Sequence, residues 1–272
     1  MDLSKIILSF GLTLLVGLSM GLGSILSFFV KGDNKKFLVK SLSFAAGIMI
    51  YVSFMAILPE GIHLIEGYLG HEKGYNLALV FFFIGIIITA ILEHFAHKIG
   101  GDHGHNHDHS HSHGPHNHGE HLSKLGFVSA VAIAIHNLPE GFALFTAGLK
   151  DIRMAIPIAL AITMHNIPLS IAISVPIFYS TKSKKKTFFY TLLVGLCQPL
   201  GAILGYLLLS KFLNDFLFGV LFSIISGIMV FVSLDELLPT AQKYDDHHIA
   251  IYGAVAGMIV MAISLVMFGH SH

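Results

Sequence analysis

Residues 125–179 read LGFVSAVAIAIHNLPEGFALFTAGLKDIRMAIPIALAITMHNIPLSIAISVPIFY, and one short phrase stands in them twice. His136-Asn137-Leu138-Pro139 and His165-Asn166-Ile167-Pro168 each sit in the middle of an apolar stretch long enough to cross a bilayer, which takes about 20 residues. An ionisable group at that depth costs roughly 2.5 to 3.5 kcal/mol on insertion scales, so it usually faces a partner, a cavity or a translocated ion. The flanks repeat as well: AIAIHNLPEGFAL over 132–144 matches AITMHNIPLSIAI over 161–173. Two matched imidazole-amide-proline steps at membrane depth point to a metal site in a channel or carrier.

Working outward, eight apolar stretches qualify as spans: 5–30, 37–59, 75–95, 125–148, 152–179, 187–211, 216–239 and 249–268. The chain is 54% hydrophobic and only 12% charged, more apolar surface than a soluble core of this size needs. The expected fold is an all-α membrane protein, one polytopic domain over 1–272 embedded in the lipid bilayer. Net charge is zero, so composition offers no nucleic-acid surface and no acidic partner. The single Cys197 lies inside the sixth span and excludes both a disulfide framework and a cysteine zinc knuckle. No small-residue cleavage site follows a short apolar core at the start, so the first span is expected to be retained.

Lysine and arginine set the expected orientation. Loops after odd-numbered spans hold Lys31, Lys35, Lys36, Lys40, Lys98, Lys124, Lys182, Lys184, Lys185, Lys186 and Lys243, against Lys5, Lys73, Lys150, Arg153 and Lys211 on the other side. That bias places the odd loops in the cytoplasm and both termini outside, with the chain in the cell (plasma or inner) membrane.

The sequence also repeats at long range. TLLVGLSMGLGSIL over 13–26 aligns without a gap on TLLVGLCQPLGAIL over 191–204, and SFAAGIMIYVSFMAILPE over 43–60 on SIISGIMVFVSLDELLPT over 223–240. Spans 1 and 2 thus recur as spans 6 and 7, displaced by an odd number of spans, so the copies run in opposite directions. Inverted repeats of this kind build many carriers, with the substrate at the repeat interface. The expected plan is 3+2+3: spans 1–3 and 6–8 around the central spans 4 and 5. Small-xxx-small steps at Gly17/Gly21, Gly201/Gly205 and Gly253/Gly257 are read as packing surfaces only.

On a helix His136 and Glu140 stand one turn apart on one face, with Asn137 beside them. Imidazole nitrogen and carboxylate oxygen are ordinary ligands of zinc and neighbouring divalent ions. Pro139 and Pro168 lack an N–H, so the carbonyls of Ile135 and Met164 lose their helical donors next to the histidines. Asn137 and Asn166 are read either as ligands or as bonds between helices. Gln198 in span 6 joins the candidate site. Asp235 and Glu236 in span 7 are read as a cytoplasmic pathway, with an interfacial role as the alternative, and Glu60 as an outer pathway residue or a merely solvated one. The third loop, 97–124, carries His103, His105, His107, His109, His111, His113, His116, His118 and His121 among Gly, Asn, Ser and Asp. It is expected to be disordered and to capture metal loosely.

HNLPEG in span 4, HNIP in span 5, SLDELLPTA closing span 7 and the His-rich third loop together resemble the ZIP family of divalent metal transporters, most of all its bacterial ZupT-like zinc-uptake branch. The likeness runs over essentially the whole chain. It implies uptake of zinc, with iron, manganese, cobalt and cadmium as related cargo, no cofactor, no ATP hydrolysis and a homodimer. It also implies metal coordination by His136, Asn137, Glu140, His165 and Asn166. Where that branch has a second Glu-Gly in span 5, a Glu in span 2 and a Glu-Pro in span 6, this chain has Leu169-Ser170, Ala56 and Gln198-Pro199. Glu140 is left as the lone acid at the centre, and one ion held by His136, Glu140 and His165 is the expectation, since zinc needs only about four ligands.

Three other classes compete. An intramembrane zinc hydrolase would need about three ligands, an activated water and a general base, and no HExxH stands in the chain. A metal sensor or buffer would bind without transporting, a reading that the missing acids keep open. A cation-diffusion exporter also carries His-rich loops, but eight spans exceed the six expected of it.

Overall fold

The computed structural model describes residues 3–29, 35–99, 118–209, 214–242 and 247–269, and no strand occurs among them. Ten α-helices follow in chain order: α1 Leu3–Ser27, α2 Lys35–Val52, α3 Leu58–Leu69, α4 His71–Ile99, α5 His118–Lys150, α6 Ile152–Thr181, α7 Lys184–Leu209, α8 Asp215–Val232, α9 Leu238–Gln242 and α10 His247–Gly269. Two five-residue π-helical segments, Ser53–Ile57 and Ser233–Leu237, join α2 to α3 and α8 to α9 without a break. Seven of the resulting rods are long and apolar enough to cross a membrane. The eighth, α5, has 33 residues, about 50 Å at 1.5 Å per residue, and holds the fourth expected span. The spans thus stand where the apolar runs put them, with longer helices in most cases.

The third loop is shorter than expected at both ends. Helix α4 runs through Ile99 and α5 begins at His118, so 97–99 and 118–124 are helical. His118 and His121 therefore stand in the first turns of a helix, whereas His103, His105, His107, His109, His111, His113 and His116 lie outside the described residues.

Along α1, packing is turned inside out relative to a helix of a water-soluble bundle. The buried face of α1 is Ser9, Thr13, Val16, Gly17, Ser19, Met20, Gly21, Gly23, Ser24 and Ser27, while Leu8, Leu15, Leu18, Leu22 and Ile25 face outward. Lipid tails solvate leucine as well as a core does, so small residues that let backbones approach are kept for helix contacts. Hydroxyls there bond back to carbonyls three or four residues earlier, as Thr13 does to Ser9 at 2.9 Å and Ser19 to Val16 at 2.6 Å.

Two sets of helices emerge. In one, α1 and α5 each pack on both α6 and α7; in the other, α2 packs on α10, and α3 and α4 on α8, while α2 also runs along α6. The two π segments lie 180 residues apart, the offset at which 43–60 matches 223–240. In each, the opening serine bonds the carbonyl of a methionine four residues back at 2.7 Å, Ser53 to Met49 and Ser233 to Met229. The closing N–H reaches five residues back, Leu58 to Ser53 and Leu238 to Ser233. A proline follows at 59 and at 239.

Local signals end the helices. Gly70, at φ 81°, closes α3 in a conformation that favours glycine. Asp151 caps α6, accepting from the Arg153 N–H at 2.9 Å, and Asn214 caps α8, accepting from the Leu217 N–H at 2.8 Å. The Arg153 guanidinium also bonds Asp151 and holds its carboxyl below the usual carboxylate range.

Candidate metal centre

The first set of helices carries the centre. Helix α5 contributes His136, Asn137 and Glu140, α6 contributes His165 and Asn166, and α7 contributes Gln198. Helix continues through Pro139, Pro168 and Pro199. All six polar side chains are buried, none exposed by more than 3%.

Glu140 Oε1 stands 3.3 Å from His165 Nε2 and 3.6 Å from His136 Nε2. One ligand atom from each of the three residues can be chosen so that all lie within 4.8 Å of one another, the group of this kind found among the described residues. Four ligands at about 2.0–2.1 Å around a tetrahedral zinc ion are separated by about 3.4 Å, so the two short separations are those of ligands sharing one ion. Both nitrogens of each imidazole and Glu140 Oε1 lack a hydrogen-bond partner. A buried polar atom left unpaired costs roughly 1–3 kcal/mol. A cation that accepts one lone pair from each of the three residues removes that cost for three of these five atoms.

The amides around this trio are held in one orientation each. Asn137 Nδ2 donates to the Val194 carbonyl at 2.9 Å and to Met20 Sδ at 3.3 Å. Asn166 Nδ2 donates to the Val16 carbonyl and to Gln198 Oε1, both at 3.3 Å. Carbonyls only accept, so each asparagine turns its NH₂ outward and leaves Oδ1 without a donor. Gln198 Nε2 in turn donates to Glu140 Oε2 at 3.2 Å. These contacts need α5 and α7 to lie very close. A Cβ on Gly141 would run into the Gln198 carbonyl, and one on Gly201 into the Leu138 carbonyl.

The other expected site residues lie apart from this trio. Glu60 on α3 is paired with Lys150, the last residue of α5, at 2.8 Å, both partly buried. Asp235 and Glu236 fall in the second π segment, with Glu93 of α4 near both. Glu93 went unread in the sequence because one acid near a span end is easily solvated. Met20 was missed too, although the repeat aligns it with Gln198. Leu169, one turn after His165, is buried among apolar neighbours.

The comparisons with known proteins agree with this chemistry. The sequence profile of the ZIP Zinc transporter family matches residues 3–126 and 101–265. The chain is 45% identical to the zinc transporter ZupT of Clostridium perfringens over 279 residues, covering 98% of each chain. It is 45% identical to that of Streptococcus mutans over 260 residues, 96% of this chain and 97% of the relative. With that of Lysinibacillus sphaericus it shares 44% over 264 residues, 97% and 98%. Matched by family over nearly its whole length, this chain belongs to the ZIP zinc transporter family.

Proposed function

We propose that this protein moves divalent metal ions, zinc first among them, across the membrane into the cytoplasm through a site made by His136, Glu140 and His165. The observation that carries the reading is the convergence of three buried ligand atoms, none of them hydrogen-bonded, at ligand-to-ligand separations. The relatives, zinc transporters by name, support zinc as cargo. One carboxylate and two neutral imidazoles give a site of modest charge, suited to an ion that must leave as well as arrive. Asn137 and Asn166 present free amide oxygens as further ligands, and iron, manganese, cobalt and cadmium are the related cargo.

The pathway reading extends from there. Glu93, Asp235 and Glu236 form the cytoplasmic end of the route, and the Glu60–Lys150 pair its outer end. The protein lies in the cell membrane as a homodimer with both termini outside. The histidines of 103–121 gather metal at the cytoplasmic face.

The test is zinc uptake into proteoliposomes. Replacing both His136 and His165 by alanine is expected to lower flux at least 100-fold; flux equal to the unaltered chain would remove the central site. Deletion of 102–121 should change the rate without abolishing it. The lone carboxylate favours a second reading, a buffer or sensor, which would show zinc binding that depends on both histidines but no flux.

A further inference from the structure

The repeat in the sequence and the contacts at the centre obey one exchange rule. Alignment pairs α1 with α7, Val16 with Val194 and Met20 with Gln198, and it pairs α5 with α6, Asn137 with Asn166 and Glu140 with Leu169. Under that exchange the bond from Asn137 to the Val194 carbonyl becomes the bond from Asn166 to the Val16 carbonyl, and both are present. The contact of Asn137 with Met20 becomes that of Asn166 with Gln198. The approach of Gly201 to the Leu138 carbonyl becomes that of Gly23 to the Ile167 carbonyl. One contact breaks the rule in chemistry. Gln198 donates to Glu140, whereas the matching residues, Met20 and Leu169, are both buried and apolar.

Both polar atoms of Gln198 are already engaged within the protein. Its nitrogen, whose lone pair is delocalised into the amide, donates to Glu140 Oε2, and its oxygen accepts from Asn166. Glu140 Oε2 thereby carries the Gln198 bond, and Oε1 is the oxygen at 3.3 and 3.6 Å from the imidazoles. We infer that Gln198 is a positioning residue rather than a ligand, holding Glu140 one-handed in the polar member of a pseudo-twofold pair of half-sites. Met20 and Leu169 fill the other member, so each chain takes one dication.

This inference rests on the metal centre proposed above and narrows it. The test is equilibrium binding of Co²⁺ to the full chain in lipid nanodiscs, with the visible ligand-field spectrum and thermal unfolding recorded for every variant. The unaltered chain should bind one Co²⁺. Gln198→Met, which copies the apolar half, should keep one ion per chain, weaken binding about 10- to 100-fold, as loss of a hydrogen-bond partner behind a metal ligand does, and alter the spectrum. Gln198→Glu removes the donor and sets a second carboxylate beside Glu140; it should bind one Co²⁺ more weakly. Met20→Gln with Leu169→Glu, rebuilding the apolar half, should admit a second Co²⁺.

A Gln198→Met chain with the affinity and spectrum of the unaltered one would overturn the positioning role. So would a Gln198→Glu chain that binds a single Co²⁺ more tightly, since that is how a ligand behaves. A folded Met20→Gln, Leu169→Glu chain limited to one ion would overturn the paired half-sites. In these three outcomes the metal centre itself stands. Failure of the unaltered chain to bind Co²⁺ would instead remove the centre, and this inference with it.

Discussion

Among single residues, the imidazoles and Glu140 were legible because their chemistry is rare at membrane depth and their spacing puts them on one helical face. The roles of the amides were not. Whether Asn166 ligates or braces depends on which carbonyl the neighbouring helix presents, and only packing decides that. Its NH₂ reaches the Val16 carbonyl and Gln198. Asn166→Leu keeps similar volume and leaves Gln198 Oε1 without its donor, at roughly 1–3 kcal/mol, while the Val16 carbonyl keeps its bond from Ser19. The expected result is a clear drop in the thermal unfolding midpoint, measured without metal. An unchanged midpoint would mean those bonds contribute nothing to stability.

Among elements, span positions could be read from apolar runs, but their ends could not. Several helices extend past the apolar runs into polar residues, because main-chain bonding continues where hydropathy has stopped. The π segments were invisible to hydropathy, yet the repeat marked them: matching serines and prolines sit at matching offsets around both. The α5–α7 contact is the tightest determinant of the centre, since Leu138 and Gln198 each meet a glycine of the facing helix. Gly201→Ala is therefore expected to cost about 1–3 kcal/mol through overpacking and to weaken metal binding as Gln198 is pushed from Glu140. Gly11, whose Cβ would meet nothing within 4 Å, is the control: Gly11→Ala should leave stability unchanged or raise it, since alanine is the better helix former. Equal losses at both positions would remove the contact explanation. At the start of α6, Asp151 titrates below its ordinary range. Its support for that helix is present above the unfolded carboxyl pKa, about 3.9, and is lost as pH falls through the lower folded value. Asp151→Asn should reduce this acid dependence of stability, followed by circular dichroism.

For the whole molecule, class came from composition and repeat together, since a chain this apolar has few ways to satisfy its backbone except as spanning helices. The family came from the HNLPEG, HNIP and SLDELLPTA motifs and the His-rich loop. Its orientation rests on the lysine bias. The only native thiol is Cys197, so in a Cys197→Ser background single cysteines report sidedness directly. A cysteine at Lys184 should resist a membrane-impermeant maleimide added to intact cells, and one at Lys73 should react. The opposite pattern would invert the chain.

The valine carbonyls that receive Asn137 and Asn166 carry one more consequence. An acceptor supplied by the main chain cannot be mutated away, so positions 16 and 194 are free to exchange one small apolar side chain for another while the tie persists. The burden of constancy falls wholly on the two asparagines. In a chain whose halves have drifted apart, such asymmetric tolerance would let one half lose its charge while the shared scaffold stayed in register.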